Sequence, residues 1–331
     1  MYFDIIDQES TGLYRTFVDE HSLSTIFHTL DWHSVLRQSF KIEPRYYFLK
    51  GDTGEIKGVL PLFKVKKLNL KNYLVSLPFS NYGGYLISEN VKEQDMQEKL
   101  QTLNYPVELK LFNLEKNSNT SPTVTFLIDL KQGISNFWNE QKSKTRQNIR
   151  KAEKRGFIFL TEGNYLKEFL LTYAENMKRM GTPQYPESFF KNMYSIIGDN
   201  CQTWAIKHKG SIIGVSIMLF YKKTAYNYLT MTKPEFTKSK PNDYLIWKTI
   251  EKSAELGYTT YDFGRSTKNT GAYNYKLKWK AKPVDLEYKI LYQNKTVSTK
   301  VPQPGILSKI WSKLPLSVTR ALGPIIRKYV P

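Results

Sequence analysis

Residues 54–63 read GEIKGVLPLF and residues 210–220 read GSIIGVSIMLF. Each is a glycine-bearing turn followed by an apolar run. RYYFLKGDT (45–53) precedes the first and TWAIKHKG (203–210) leads into the second, both rich in aromatic or β-branched residues. The pattern predicts a β-hairpin in each place. Working outward, FHTLDWHSVLRQSF (27–40) and PESFFKNMYSII (186–197) space their large apolar residues as helices do. Downstream, LVSLPFSNYGGYLI (74–87) and TAYNYLTMTK (224–233) read as aromatic strands. Helix, hairpin and aromatic strand thus occur in the same order twice, which predicts a duplicated α/β unit.

Composition supports two packed domains. The chain has 331 residues, 40% hydrophobic and 14% aromatic, too apolar for disorder over most of its length. One cysteine, Cys201, excludes an internal disulfide framework and suits a reducing compartment. The opening MYFDIIDQES carries acidic residues where a signal peptide is basic and apolar. The longest strongly apolar stretch, Ser211–Phe220, is half of what a bilayer crossing needs and reads as a buried strand. A cytoplasmic protein is expected. The formal net charge of +19 points to anionic partners: RNA, lipid- or nucleotide-linked sugars, coenzyme A or the inner membrane face. Plain solubility accounts for part of it.

Two segments concentrate that charge. KSKTRQNIRKAEKRG (142–156) holds seven Lys or Arg against one Glu and ends in a glycine suited to a helix C-cap. Arg146, Arg150 and Lys154 share one face at i, i+4 and i+8, where like charges repel, so an anion-contacting face is favoured over a solvated linker. From Tyr288 onward there is no acidic residue and there are eight Lys or Arg. Ile306, Leu307, Ile310, Trp311 and Leu314 line one side of a short helix that Pro315 ends, with Lys309 and Lys313 opposite. Leu316, Leu322, Ile325 and Ile326 follow, interleaved with Arg320, Arg327 and Lys328. This basic amphipathic tail is expected to dock residues 306–331 on an anionic membrane face rather than on the protein's own surface.

Much chemistry is excluded. The four histidines form no HxxxH or HExxH pair and the lone cysteine has no partner, so no metal site is legible. No GxGxxG, GxxxxGK[ST] or GxSxG occurs, which removes dinucleotide sites, P-loops and nucleophile elbows. What remains is chemistry of orientation within a polar cradle. The segment from Glu255 to Lys280 offers one. A helix over Leu245–Leu256 ends at Gly257, and a strand over Tyr258–Phe263 carries Asp262. Beyond a polar loop, Tyr273, Tyr275, Leu277 and Trp279 alternate with Asn274, Lys276, Lys278 and Lys280, which predicts a strand with one basic face.

YDFGRS (261–266) followed by GAYNYKLKWKAKP (271–283) resembles the C-terminal signature of the FemAB-like branch of the GNAT acyltransferase superfamily. That branch includes the aminoacyltransferases of peptidoglycan cross-bridges and relatives in exopolysaccharide clusters. FHTLDW (27–32), GVLPLF (58–63), SLPFSNYGG (76–84), the basic segment 142–156 and RMGTPQYPESFF (179–190) resemble other family motifs in the family's order, over roughly residues 25 to 285. The resemblance implies a mixed α/β fold of two tandem GNAT-like halves with a cleft between them. It also implies attack of an amine on an activated acyl ester or thioester. In that setting Asp262 orients the amine or accepts its proton. Arg265, Lys276 and Lys278 hold carrier phosphates, Ser80, Asn81 and Tyr82 line the acceptor cleft, and Arg146 and Arg150 touch the donor. The family's CoA-using members carry a [RQ]-x-x-G-x-[GA] loop, whereas the equivalent TKSKPNDYLIW (237–247) has no glycine. The long coiled-coil arm of some cross-bridge enzymes also has no counterpart.

The division expected is an N-terminal half over residues 1–125, a connecting strand and basic helix over 126–160, a C-terminal half over 161–290 and a tail over 291–331. The function expected is transfer of an acyl or aminoacyl group to an amine of a peptidoglycan or polysaccharide precursor. No cofactor is held tightly, and the donor is aminoacyl-tRNA or acyl-CoA. Partners are an anionic lipid- or nucleotide-linked acceptor, tRNA, and the inner membrane face. The alternatives are an acyl-CoA-dependent enzyme acting on an amino sugar and a non-catalytic scaffold of envelope assembly.

Overall fold

The computed structural model describes residues 1–67, 71–112, 121–292, 295–298 and 305–329. The chain divides into two compact units. The first is built from the N-terminal residues up to Thr123 and a strand that returns at Asp285. The second is built from Val124–Val284 and the C-terminal helices up to Ile326.

The first unit contains β1 (Tyr2–Ile5), α1 (Thr11–Glu20), α2 (Leu30–Phe40), β2 (Glu43–Lys50), β3 (Ile56–Lys66), β4 (Asn72–Ser76), β5 (Leu86–Ile87), α3 (Glu93–Gln101) and β6 (Val107–Phe112). Strands β1 to β4 pair antiparallel in chain order, and β6 joins β4 in parallel. The chain continues through β7 (Thr123–Asp129), α4 (Ile134–Glu140), α5 (Ser143–Lys154), β8 (Ile158–Leu160), α6 (Leu166–Arg179) and α7 (Glu187–Ile197). Then come β9 (Cys201–His208), β10 (Ser211–Tyr221), β11 (Thr224–Thr232), α8 (Pro241–Glu255), β12 (Thr260–Asp262), β13 (Ser266–Thr267) and α9 (Gly271–Leu277). Strands β8 to β11 again pair antiparallel, with β12 parallel to β11 and β7 antiparallel to β12. Finally β14 (Lys282–Tyr292) runs antiparallel to β6, β15 (Lys295–Ser298) folds back on β14, and α10 (Ile306–Lys313) and α11 (Leu316–Arg327) follow.

The duplication is therefore complete. Leaving aside the two-residue β5, each sheet has two helices between its first and second strands, one helix between its fourth and fifth, and a sixth strand antiparallel to the fifth. The repeated G-x-I-x-G-V motif has the same physical reason in both copies. Gly54 and Gly210 turn the hairpins at φ +88° and +82°, a region that glycine enters without steric cost. At the second glycine the chains are too close for a side chain. A Cβ on Gly58 would lie 2.8 Å from the Leu86 carbonyl oxygen, and one on Gly214 would lie 2.9 Å from Thr232 Cγ2. Buried Leu60, Leu62, Leu74, Met96 and Leu109 fill the core of the first unit; Trp204, Phe220, Leu245, Ile250 and Trp279 fill that of the second.

Helices at 27–40, 142–156, 186–197 and 245–256 and strands at 211–220 and 224–233 form where the sequence places them. Two expectations are corrected. LVSLPFSNYGGYLI is not one strand: β4 stops at Ser76 and β5 holds only Leu86 and Ile87. Leu77 and Phe79 adopt φ of +44° and +64° on either side of Pro78, which takes the chain out of the ladder. Residues 273–280 are not a strand either; α9 occupies Gly271–Leu277. No helix among the described residues is long and apolar enough to cross a membrane.

Because the atom facing Gly58 is a backbone carbonyl that cannot swing aside, Gly58→Ala should cost about 1–3 kcal/mol of stability. Urea unfolding with an unchanged slope measures it. An unchanged midpoint would refute the close-approach explanation.

Candidate active site

Asp262 ends β12 and is 1% exposed. A charge so placed has to be met by donors. Its Oδ1 accepts from Thr125 Oγ1 of β7 at 2.8 Å and from the Gly264 backbone N–H at 2.7 Å. Gly264 adopts φ +76°, which lets the chain reverse immediately after the strand. The turn is fixed further where Phe263 N donates to Phe126 O at 2.8 Å. Arg265, at its tip, is exposed.

Helix α9 then sorts the lysines. The Thr270 hydroxyl caps it, accepting from Tyr273 N. In a strand Lys276 and Lys278 would share a face; in a helix they point to different neighbours. Lys276 turns with Tyr273, three residues earlier, onto Phe126: the two rings are 5.2 Å apart and the ammonium is 5.8 Å from the Phe126 ring. Lys276 Nζ donates to the Gly264 carbonyl at 2.8 Å and the Arg265 carbonyl at 3.0 Å. Burial pushes its amine down to about 7; the Asp262 carboxylate works against that shift and Arg265 reinforces it. Two carbonyls match the two N–H groups of a neutral amine, whose lone pair stays available.

Lys278 takes another partner. Its Nζ is 2.7 Å from Asp243 Oδ1, which also accepts from Tyr275 Oη at 3.0 Å, while Asn148 Nδ2 reaches Asp243 Oδ2 at 2.9 Å. Asp243 sits in the first turn of α8 and is 3% exposed. It thereby ties α5, α8 and α9 together. The basic face read across Lys276, Lys278 and Lys280 is thus divided, with Lys280 exposed beyond the helix.

Beside Asp262, β11 and β12 form a fork. They pair only through Thr224↔Thr260, Ala225↔Tyr261 and Tyr226↔Asp262, so the β12-facing edge of β11 from Asn227 to Thr232 has no strand partner among the described residues. A bulge interrupts the other edge of β11 at the Ile217–Met218 step of β10. Side chains at the base of the fork are linked: half-buried Thr230 donates through Oγ1 to Asn227 Oδ1 at 2.9 Å, and buried Asn227 donates through Nδ2 to Tyr261 Oη at 2.7 Å. Tyr261 Oη meets Thr249 Oγ1 of α8 at 2.8 Å, and burial raises the phenol so that it stays a donor.

The remaining candidates lie elsewhere. Arg146 donates to the carbonyls of Asn139 at 2.7 Å and Trp138 at 3.5 Å, capping α4, and Arg150 lies 5.8 Å from the Trp138 ring. Together with Asn139, Ser143 and Gln147 they line a cavity of about 340 Å³. Ser80, Asn81 and Tyr82 belong to the first unit. The Ser80 hydroxyl donates to the Leu77 carbonyl, Asn81 O accepts from Tyr288 Oη, and buried Tyr82 stacks on Phe112 at 4.7 Å. Thr125 and Asp243 were not singled out in the sequence. Asp243 carried a signal, an acid two residues after a helix-initiating proline; Thr125, inside an alternating strand, carried none.

Residues 139–277, which contain Asp262, Lys276 and the fork, match the family described as Acetyltransferase (GNAT) domain. The match, over less than half of the chain, gives these residues the character of a GNAT domain, and acyl transfer is the chemistry that the family's description names. Among solved structures, FemX matches at a TM-score of 0.67 and 14% identity over 89% of this chain and 98% of FemX. L-PGS from Bacillus licheniformis matches at 0.52 and 14% over 89% and 95%. A tandem GNAT protein from the clavulanic acid biosynthesis pathway matches at 0.53 and 10% over 91% and 99%. At such identities the likeness is one of fold, and it bears out the FemAB-like, tandem-GNAT architecture read from the sequence. No curated protein matches by sequence.

Within the GNAT domain the depressed Lys276 amine yields a prediction. Its folded-state value, about 7, lies below the unfolded value of about 10.4. The unfolded chain therefore binds the extra proton between those values, and stability rises with pH across that window. The penalty is complete below pH 7. Lys276→Met should flatten the rise between pH 7 and 10 in chemical denaturation. An identical slope in both proteins would place the Lys276 titration outside this range.

Proposed function

We propose that this protein moves an activated acyl or aminoacyl group onto an amine of a cell-envelope precursor, an anionic lipid- or nucleotide-linked sugar of peptidoglycan or polysaccharide assembly. The observation that carries this reading is the Asp262–Lys276 arrangement beside the open edge of β11. An acceptor amine attacks as the neutral base and sheds a proton as the amide forms, so a group titrating near neutrality is needed within reach. Lys276 meets that need. Asp262, shielded from solvent, positions the Phe263–Arg265 turn and keeps the Lys276 amine from falling further. Arg265, exposed at the turn, meets a carrier phosphate. The Asn227–Thr232 edge offers backbone N–H groups to an extended, amide-bearing donor arm and to the oxyanion that develops on the acyl carbon.

A GNAT domain suggests acyl-CoA as the donor. The first turn of α8 argues for a different carrier. Pro241 removes one N–H group there and Asp243 adds a buried carboxylate, which makes this helix N-terminus a poor receptor for a pyrophosphate. We therefore favour an aminoacyl ester on tRNA, with Arg146 and Arg150 of α5 facing its backbone. Acyl-CoA transfer to an amino sugar is the second reading. Purified protein offered labelled acetyl-CoA and, separately, charged tRNA should bind tRNA saturably and release its aminoacyl group to an amine; binding of neither donor would indicate a scaffold.

Asp262→Asn keeps an acceptor oxygen for Thr125 and Gly264 but removes the charge. Transfer should fall on the order of 10²-fold or more with the circular dichroism spectrum unchanged. Full activity would remove Asp262 from the site.

A further inference from the structure

The C-terminal helices take no part in the chemistry above, and one side of them is packed down. A Cβ on Gly181 would collide with the Ser308 carbonyl oxygen of α10, and one on Gly323 of α11 would lie 2.9 Å from Gln184 Cγ. Trp311 and Thr319 face inward and are 9% and 1% exposed. The other side is open. Ile306, Leu307 and Ile310 of α10 are 75%, 79% and 54% exposed, and Leu322 and Ile325 of α11 are 45% and 61% exposed. Ile306 and Ile310 lie one turn apart, and the exposed Lys309 and Lys313 flank that row. Helices that bury a tryptophan and turn five large aliphatic side chains to water leave surface that needs a partner.

Beside α11 opens a cavity of about 520 Å³, lined by Lys167, Leu170, Leu171, Glu187, Lys191 and Arg320 among others. Arg320 is 2.8 Å and Lys191 3.5 Å from the Glu187 carboxylate. One carboxylate against three cations leaves the cavity positive, and its leucines make it amphiphilic. The geometry points to a docking face for an anionic phospholipid bilayer, in which the exposed aliphatic row enters the headgroup boundary and the cavity between α6, α7 and α11 receives a lipid phosphate. Charge complementarity selects this occupant. Residues 288–331 contain no acidic side chain, so this segment adds no like-charge repulsion against an anionic surface. Aliphatic side chains interleaved with lysines match the graded polarity of a headgroup layer better than a flat protein surface. The inference stands whichever acyl donor the GNAT domain uses.

Co-sedimentation with phosphatidylcholine vesicles, with and without phosphatidylglycerol, tests it. The full chain should pellet only with the anionic vesicles and be released by high salt. Replacing both Leu307 and Ile310 by Ser should weaken binding by about tenfold or more. Lys167→Gln with Lys191→Gln should weaken it about fivefold per charge. Free glycerol phosphate at millimolar concentration should not release the protein, since it lacks the apolar contacts. All four positions are solvent-exposed, and an unchanged melting temperature verifies folding. Equal pelleting of wild type and the Leu307/Ile310 variant overturns the inference. So does release by glycerol phosphate alone, or a wild-type dimer in solution that this variant dissociates while neither form binds vesicles.

Discussion

A carboxylate taken almost wholly out of water organises the second unit. Asp262 cannot stay charged there without donors, and two of them come from different places: the Thr125 hydroxyl on β7 and the Gly264 amide of its own turn. Satisfying that one oxygen draws β7 against β12, forces the chain to reverse at Gly264, and sets the carbonyls of Gly264 and Arg265 where the Lys276 amine meets them. The arrangement is mutual. Lys276 is desolvated by the same packing that hides Asp262, and the opposite charge keeps its amine near neutrality instead of lower.

Helix α9 makes this selective. Its period sends Lys276 to the Asp262 side and Lys278 to Asp243, so one lysine carries the perturbed amine while the other holds three helices together. Had the segment been a strand, both would have shared a face and competed for the same carboxylate. The fork between β11 and β12 completes the arrangement, and Asn227, Thr230, Tyr261 and Thr249 tie β11, β12 and α8 together at its base through a chain of buried and half-buried hydrogen bonds.

The duplicated fold was legible because its determinants are local. Gly54 and Gly210 mark turns, Gly58 and Gly214 mark close approaches, and apolar runs of different period surround them. The candidate site was legible only in part. Asp262, Arg265 and Lys276 stand close together in the chain, and the family-like YDFGRS segment drew attention to them. Their chemistry depends on partners far away: Thr125 lies 137 residues from Asp262, and Asp243 lies 35 from Lys278. No spacing rule reaches so far. Residues 273–280 misled because Tyr273, Tyr275, Leu277 and Trp279 alternate as a strand would. What decides for helix is the Thr270 cap together with Leu277, which is 40% exposed and so did not belong to the buried set.

The central claim is that Lys276 takes the proton released when an amine is acylated at the Asp262 turn. The pH dependence of single-turnover transfer tests it most directly, measured on wild type and on Lys276→Arg, which cannot lose its proton in this range. The account predicts a wild-type rate that rises through an inflection near pH 7, and loss of that inflection in the variant while any titration of the acceptor amine persists. The same inflection in both proteins would contradict it.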